Sequence, residues 1–573
     1  MAFALATAVL VGACNARSTT STVPSGDPAF RALAAEIIDD AYQRSPSFAT
    51  YQGVHKYDTR LETFAKEAVS RSVARALAFR KRLDAIDPAT LSDAAQLDRE
   101  LLQHEMDLVV LELDVVKSWA KDADSYSGTA TDAVFSIMKR SFAPAADRLK
   151  LIIAREKLIP ALLAEARVNL DNPPEVFTRV AINQNDGVQR FFRTDLPLAF
   201  AEVKDQALLT EFKQTNDAVL AALVDYKRWL QTDLLPRSRG SFALGASTYS
   251  ALLSASNMID TPLDELLRIA ETDRVVNERA FFAAADAIDP TKSTADVLAD
   301  VTARHPTAEA LLTTTQDALD SLRTFVTSKN LVTIPVSPPA QVRETPPFRR
   351  ATTTASMDTP GPWETGASEA YFYVTRPDPR WARSEQEDYM RNWYYSLIVN
   401  VAVHEVYPGH YLQFLNAKNY PSDVRRVFGA SSNSEGWAHY AEQLMVDEGF
   451  RADDPTYRLA ELQDALLRDV RFAVGIKMHT QGMTIDEATA LFMEEGHLPA
   501  AVARSEATRG AGDPLYGYYT MGKLAILKLR NDYRAQKGAA FSLKDFHDTF
   551  IRLGPLPLPL VREAMLGERG QLF

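Results

Sequence analysis

Two histidines and a glutamate stand close together in the stretch VHEVYPGHYLQ, residues 403–413. His404 and Glu405 match the start of the H-E-x-x-H motif, in which two imidazoles on one helical face hold zinc and the glutamate is the general base. Here, however, Pro408 is the fourth residue after His404, and the next histidine is His410. The residue types indicate metal-dependent hydrolysis, while the spacing differs from the usual one.

A spacing of six residues cannot place both imidazoles on one metal if the helix is unbroken. Six residues advance a helix by about 600° and about 9 Å, so the rings of His404 and His410 would point roughly 120° apart. Pro408 removes a helical hydrogen bond, and Gly409 accepts almost any backbone conformation. We therefore predict a kink or bulge at these two residues that brings His410 back to His404. The alternative is a kinked buried helix with two core histidines.

A third metal ligand must come from another segment, and Glu435 is the best candidate. It belongs to SSNSEGWAHYAEQLMVDEG, which is predicted to form a helix with Glu435, His439 and Glu442 on one face. An alternative for Glu435 is a capping box with Ser432, because the two residues have the S-x-x-E spacing.

His439 offers a second ambiguity at the metal site. With Glu435 it forms an E-x-x-x-H pair, which can chelate a metal without His410. We predict His410 as the ligand and His439 as a residue that orients a ligand or the substrate.

Composition limits the kinds of partner and of metal site. The chain has 573 residues and a formal net charge of -12, which argues against nucleic acid and anionic membrane surfaces as partners. Its only cysteine, Cys14, provides neither a disulfide framework nor a cysteine-ligated metal site. Any metal must therefore be held by His, Asp and Glu.

The first residues are typical of a bacterial lipoprotein. Residues 1–14 are apolar up to Cys14 and too short for a membrane span, but they suit a signal peptide. Val11-Gly12-Ala13-Cys14 resembles a lipobox, and residues 15–28 are predicted to be a flexible tether. We expect a protein of the periplasm or cell envelope, anchored to the outer membrane at Cys14. The alternative is the frayed N-terminus of a cytosolic protein.

Helical periodicity dominates both halves of the chain, so the predicted fold is mostly α, with two or more domains or lobes. Residues 29–383 are predicted to form a helical lobe that ends in a Pro-rich loop region. In that region, 370–375 (AYFYVT) is the best strand candidate. This strand either pairs with an extended peptide substrate by strand addition or is a structural strand in a small sheet. Residues 384–573 are predicted to be a helical region that carries the metal site.

Two motifs together resemble the hallmark of the bacterial DUF885 family. They are H-E-x-x-P-G-H at residues 404–410 and E-G-W-A-x-Y-x-E at 435–442, and weaker similar stretches cover nearly all of the remaining chain. The family looks like a distant branch of the glutamate-zincin metallopeptidases, such as angiotensin-converting enzyme and thermostable carboxypeptidases. The resemblance implies a multi-helix fold with two lobes around a deep cleft. It also implies one Zn²⁺ per chain, held by His404, His410 and Glu435.

The resemblance also suggests further site residues. Glu405 would be the general base. Tyr519 aligns with the tyrosine of a Y-x-x-G-K/R pattern and would stabilise the oxyanion, with Tyr518 in reserve and aromatic packing as the alternative. His479 matches a family-like histidine, which either contacts substrate or is a satisfied core histidine.

Arginine or lysine near the metal would suit a peptidase that binds the C-terminal carboxylate of its substrate. Arg509, Lys523 and Arg530 lie in the appropriate part of the chain, but the sequence does not rank them.

The leading hypothesis is a zinc-dependent peptidase that acts on short peptides. One alternative is a metal-dependent hydrolase of another amide. The other is a non-catalytic periplasmic binding lipoprotein with a vestigial site, which would have no use for Glu405. Exopeptidase or endopeptidase action and the oligomeric state stay open.

Overall fold

A computed structural model describes residues 24–346, 350 and 353–573. The described chain is mostly helical with one small sheet, as the periodicity predicts. None of the helices in these residues has the length and apolar character needed to cross a membrane. The predicted lipobox at Cys14 and most of the predicted tether lie outside the described residues.

The first helix begins earlier than the predicted end of the tether at residue 28. It starts at Asp27, whose carboxylate accepts hydrogen bonds from the backbone N–H and the hydroxyl of Ser92, both at 2.9 Å. This contact ties the start of the helix to the rest of the fold.

Helices form the N-terminal half up to Ser328. They are α1 (Asp27–Arg44), α2 (Pro46–Tyr51), α3 (Lys66–Asp84), α4 (Asp93–Val110), α5 (Asp124–Met138), α6 (Ala145–Glu156), α7 (Ile159–Asn169), α8 (Glu175–Arg190), α9 (Leu196–Ala199), α10 (Gln206–Trp229), α11 (Leu235–Arg237), α12 (Ala246–Asn257), α13 (Leu263–Ile288), α14 (Thr294–Thr302) and α15 (Leu311–Ser328).

A three-stranded sheet follows in the Pro-rich region. Its order is β1 (Gln341–Glu344), β3 (Tyr371–Val374), β2 (Ala355–Asp358), with β3 parallel to β1 and antiparallel to β2. The strand predicted at 370–375 is β3, but it is central and paired on both sides. Strand addition of a peptide to β3 is therefore excluded, because neither edge is free.

The C-terminal half is again helical. Its helices are α16 (Arg383–Met390), α17 (Tyr395–Glu405), α18 (His410–Leu415), α19 (Asp423–Val427), α20 (Ser431–Asp447), α21 (Pro455–Thr480), α22 (Ile485–Glu494), α23 (Ala500–Gly512), α24 (Tyr518–Lys537), α25 (Leu543–Arg552) and α26 (Leu558–Leu566).

The largest hydrophobic core joins the two ends of the chain. It contains buried side chains of α1 to α4, α15, β3, α17, α18, α20 and α24 to α26. The parts predicted at 29–383 and 384–573 therefore pack on a common core. The buried residues of a second core all come from 123–234, in and around α5 to α10.

Candidate metal centre

The helix that carries His404 breaks as the Pro408-Gly409 pair predicts. The Gly409 N–H donates to the carbonyl of Val403 at 3.0 Å, a partner six residues back instead of four. The turn thus absorbs two extra residues before α18 begins at His410. A Cβ at position 409 would lie 1.8 Å from the His404 carbonyl oxygen, so only glycine fits there.

This turn brings together the three predicted ligands, His404, His410 and Glu435. One nitrogen of each imidazole and one carboxylate oxygen lie within 4.8 Å of one another. The Nε2 atoms of His404 and His410 are 3.4 and 3.2 Å from Glu435 Oε2. Two imidazoles and one carboxylate are the ligand set of many catalytic zinc sites, which leave a fourth position open. The donor set therefore fits zinc.

Charge at the cluster favours a cation. Burial alone would raise the pKa of the Glu435 carboxyl, but His410 and His404 hold it well below its usual range. Burial lowers the pKa of His404, yet its contacts with Glu435 and Glu442 raise it to about 9. A metal at this position would have to displace a proton from His404, so its binding would become tighter as pH rises.

The capping alternative for Glu435 is wrong. Helix α20 begins at Ser431 after Ala430, so Ser432 lies inside the first turn and not at the cap. Among the described residues the Ser432 hydroxyl has no hydrogen-bond partner. Glu435 instead points to the two histidines.

His410, and not His439, lies with His404 and Glu435. His439 is fully buried behind the cluster, where its Nδ1 lies 3.2 Å from Glu442 Oε2. Burial lowers the pKa of His439 to about 3, so the imidazole is neutral. Its contact with Glu442 fits the predicted orienting role.

Glu442 is a site residue that sequence reasoning did not single out. Its Oε1 accepts a 2.6 Å hydrogen bond from His404 Nδ1, which turns His404 Nε2 towards Glu435. Burial alone would raise the pKa of Glu442, but Arg468, 3.0 Å away, holds it well below its usual range. A charged carboxylate behind a histidine ligand fixes its tautomer and makes it more basic.

Trp437 and Tyr440 link the second hallmark motif to the rest of the site. The Trp437 indole N–H donates to the Pro408 carbonyl at 2.9 Å and so holds the turn between the histidines. Tyr440 donates to His547 Nε2 at 2.8 Å. Both side chains are fully buried.

Gly436 and Gly522 let two helices of the site touch. A Cβ on Gly436 of α20 would lie 2.5 Å from the Cα of Gly522 on α24. Glu435 precedes one glycine and Tyr519 lies three residues before the other. The two glycines therefore set how closely the carboxylate and the tyrosine approach.

His404 is the member of the cluster that lines a large cavity of about 1880 Å³. His404, Glu405 and Tyr519 line one part of its wall. Another part comes from the segment with the second core, including Asp124 and Gln184. The predicted general base thus lies beside a metal-ligand candidate on a surface that a substrate can reach.

A family model described as "Bacterial protein of unknown function (DUF885)" matches residues 46–565. The chain belongs to the DUF885 family. A lipoprotein candidate of unknown function from Shewanella oneidensis is 27% identical, with a TM-score of 0.77 over 94% of this chain and 99% of that one. A lipoprotein candidate from Colwellia psychrerythraea is 17% identical, with a TM-score of 0.79 over the same shares. No protein among the curated ones matches the chain.

In this DUF885 protein, Tyr519 lies against the metal-ligand candidates. Its ring centroid is 6.1 Å from that of His404, and its hydroxyl accepts a hydrogen bond from Arg509 Nη2 at 3.3 Å. Burial and the Glu435 carboxylate raise the pKa of Tyr519. The hydroxyl therefore keeps its proton at neutral pH and can donate it to an oxygen in the cavity.

The other predicted residues of the DUF885 protein lie elsewhere. The Tyr518 hydroxyl donates to Asp513 at 3.1 Å. His479 is buried, its Nε2 donates to the Gly510 carbonyl at 2.8 Å, and it is among the residues that line the cavity, so its contact with substrate stays a prediction. Both residues stay outside the metal cluster formed by the described residues.

The three basic residues that could bind a substrate carboxylate lie in different surroundings. Lys523 is buried and paired with Asp273 at 2.9 Å. Arg530 donates to the Tyr440 hydroxyl at 3.2 Å, behind Trp437. Of the three, Arg509 lines the cavity.

Proposed function

We propose that this DUF885 protein is a zinc-dependent peptidase that hydrolyses short peptides. The observation that carries the proposal is the cluster of His404, His410 and Glu435, with Glu405 beside it on the cavity wall. A binding module would need neither the general base nor the buried Glu442 that orients His404.

The chain's own residues divide the chemistry among them. A bound zinc ion would polarise the scissile carbonyl and make a water molecule more acidic. Glu405 accepts the proton of the attacking water and delivers it to the leaving amine. Tyr519 donates its hydroxyl proton in a hydrogen bond to the oxyanion as it develops.

The cavity supports a peptide as the substrate. Its volume of about 1880 Å³ exceeds the usual range of small-molecule pockets, roughly 300–1,000 Å³. Strand β2 is an edge of the sheet, and Ala355 at its start lines the cavity. We propose that the start of β2 binds an extended peptide by strand addition, the role that the central β3 cannot fill.

We place the fold among the zincin-like peptidases, with the main core and the core of residues 123–234 as two lobes on either side of the cavity. The descriptions of both structural relatives as lipoprotein candidates support a cell-envelope location with an anchor at Cys14. A peptidase there would meet short peptides in the periplasm.

Metal content and hydrolysis test the proposal together. Purified protein is expected to bind one zinc per chain, and His404→Ala and Glu435→Ala are expected to lose it. Glu405→Gln is expected to keep the zinc and to lose hydrolysis of a peptide library, read by mass spectrometry. The matched control is Glu385→Gln, which changes another carboxylate on the cavity wall. This variant is expected to keep both the zinc and the hydrolysis.

Three outcomes would contradict the proposal. Absence of stoichiometric zinc favours the binding-lipoprotein alternative. Zinc binding without cleavage of any library peptide favours hydrolysis of another amide. Normal cleavage by Glu405→Gln removes that residue as the general base.

A further inference from the structure

Three guanidinium groups surround the Tyr519 ring at the cavity. Arg468, Arg471 and Arg509 lie 5.6, 5.2 and 5.9 Å from its centroid. Such a concentration of positive charge beside a metal cluster is suited to an anionic group, provided that one of the arginines has donors to spare.

Two of the three arginines are already paired with carboxylates. Arg471 makes two hydrogen bonds to Glu506, at 2.7 and 2.8 Å. Arg468 lies between Glu442 and Asp464, at 3.0 and 3.7 Å. Both arginine side chains are nearly buried. They therefore hold the protein together and have little capacity for a ligand.

Arg509 differs from the other two arginines in its pairing and in its exposure. Its contacts with Asp513 and Tyr519 both come from Nη2, at 3.1 and 3.3 Å. Within the described residues its Nε and Nη1 make no hydrogen bond, and its side chain is 38% exposed. Arg509 thus presents free N–H donors on Nε and Nη1, each of which can donate to an oxygen of a carboxylate.

The distances set where such a carboxylate would lie on a peptide. Arg509 Cζ and the His404 ring centroid lie 5.9 and 6.1 Å from the Tyr519 ring centroid, so they are at most about 12 Å apart. An extended chain advances about 3.4 Å per residue, so no more than about three residues bridge this distance. A carboxylate bound by Arg509 can then be the C-terminus of a peptide whose scissile bond lies at the metal.

The two carboxylates that line the cavity on α21 and α23 do not suit the opposite polarity. An aminopeptidase needs a free carboxylate to bind the substrate's terminal ammonium group. Asp464 and Glu506, which line the cavity on α21 and α23, are both paired with arginines. The charges nearest Tyr519 therefore favour recognition of the carboxyl end.

We propose that Arg509 binds the C-terminal carboxylate of the peptide substrate, so that the site removes one to three residues from the carboxyl end. This inference builds on the proposed peptidase function and names its substrate class: peptides with a free C-terminus. Tyr519 positions the guanidinium through its hydroxyl and faces the same space.

The test compares N-acetylated peptides of one cleavable sequence that end in a free carboxylate or in a carboxamide. Wild-type kcat/KM is expected to fall about 10- to 100-fold on amidation, the usual value of a charge-assisted hydrogen bond. Arg509→Gln is expected to make kcat/KM for the acid equal to that for the amide, because the difference between the two substrates depends on the guanidinium. Arg509→Lys, which keeps the charge, recovers part of the difference.

Arg504→Gln is the matched control. Arg504 lies on the same helix but pairs with Asp486 and is 54% exposed. This variant is expected to cleave both peptides as the wild type does. Mass spectrometry of the products is expected to show loss of one to three C-terminal residues.

Binding of the two peptides to the Glu405→Gln variant separates the two proposals. The Kd is expected to be lower for the acid than for the amide, and adding Arg509→Gln to this variant is expected to abolish the difference. Binding of this kind without any hydrolysis by the wild type overturns the peptidase and leaves carboxylate recognition standing. Equal kcat/KM for acid and amide, or an equal loss of both in Arg509→Gln, overturns the role of Arg509.

Discussion

Single residues behind the metal cluster decide how its ligands are presented. His404 is held by Glu442 at 2.6 Å, while Arg468 keeps that carboxylate charged. His410 stacks on Phe414 with ring centroids 5.5 Å apart. The two imidazoles are thus fixed by different means, one by a hydrogen bond and the other by packing.

Glu442→Gln is expected to weaken zinc binding by about 10- to 100-fold, because an amide makes His404 less basic and orients it less well. Competition with a chelator of known affinity measures the change. Glu461→Gln is the matched control, since this buried carboxylate pairs with Arg458 and not with His404. Unchanged zinc affinity in Glu442→Gln would show that the contact does not support the metal.

At the scale of elements, the site depends on how closely α20 and α24 approach. Each helix contributes one group, Glu435 and Tyr519 respectively, and the helices meet at Gly436 and Gly522. The DUF885 motif thus contains a packing residue next to a metal-ligand candidate. The glycine of this motif, Gly436, is required by the contact between the two helices and not by a turn.

Gly522→Ala is expected to destabilise the protein by at least about 1–3 kcal/mol, since overpacking forces backbone shifts. The new Cβ would lie 2.0 Å from the Ser432 carbonyl oxygen. Urea unfolding measures the loss, and kcat for a cleaved peptide is expected to fall as Tyr519 moves. Gly128→Ala in α5 is the control, because no atom outside that helix's own backbone lies within 4 Å of its added Cβ. A Gly522→Ala variant as stable and active as the wild type would contradict close packing.

At the scale of the whole molecule, His547 links the second hallmark motif to the region before the sheet. Its Nδ1–H donates to the Leu331 carbonyl at 2.8 Å, and its Nε2 accepts from Tyr440 at 2.8 Å. Burial, assisted by Arg530, lowers the pKa of His547 to about 4. The neutral imidazole therefore holds α25 against α20 in the main core.

The low pKa of His547 makes stability depend on pH. The unfolded state binds a proton near pH 6.5 and the folded state near 4, so the contribution is complete above pH 6.5 and is lost as pH falls towards 4. Between pH 7.5 and 5 the loss is about 2 kcal/mol. His547→Gln is expected to remove this part of the pH dependence.

Urea unfolding of metal-free protein at both pH values measures the effect. His305→Gln is the control, because that imidazole pairs with the exposed Glu387, and its pH dependence is expected to follow the wild type. A pH dependence in His547→Gln equal to that of the wild type would contradict the prediction.

The sequence by itself determined the helical class and the identity of the candidate site. Helical periodicity is local, and the types of His404, Glu405 and Glu435 limit the chemistry they can do. The turn at Pro408-Gly409 was also predictable, because histidines six positions apart can reach one metal only if a helix-breaking pair interrupts the helix between them. The family could be recognised from two short motifs for the same local reason.

Tertiary structure alone decided which groups meet. The choice of His410 over His439, the support of His404 by Glu442 and the ranking of Arg509 over Lys523 all depend on packing between distant helices. Strands β1 (QVRE) and β2 (ASMD) escaped prediction because they lack the aromatic and β-branched run of β3 (YFYV). Local patterns fix what each residue can do, but contacts between helices far apart in the chain fix which partner it has.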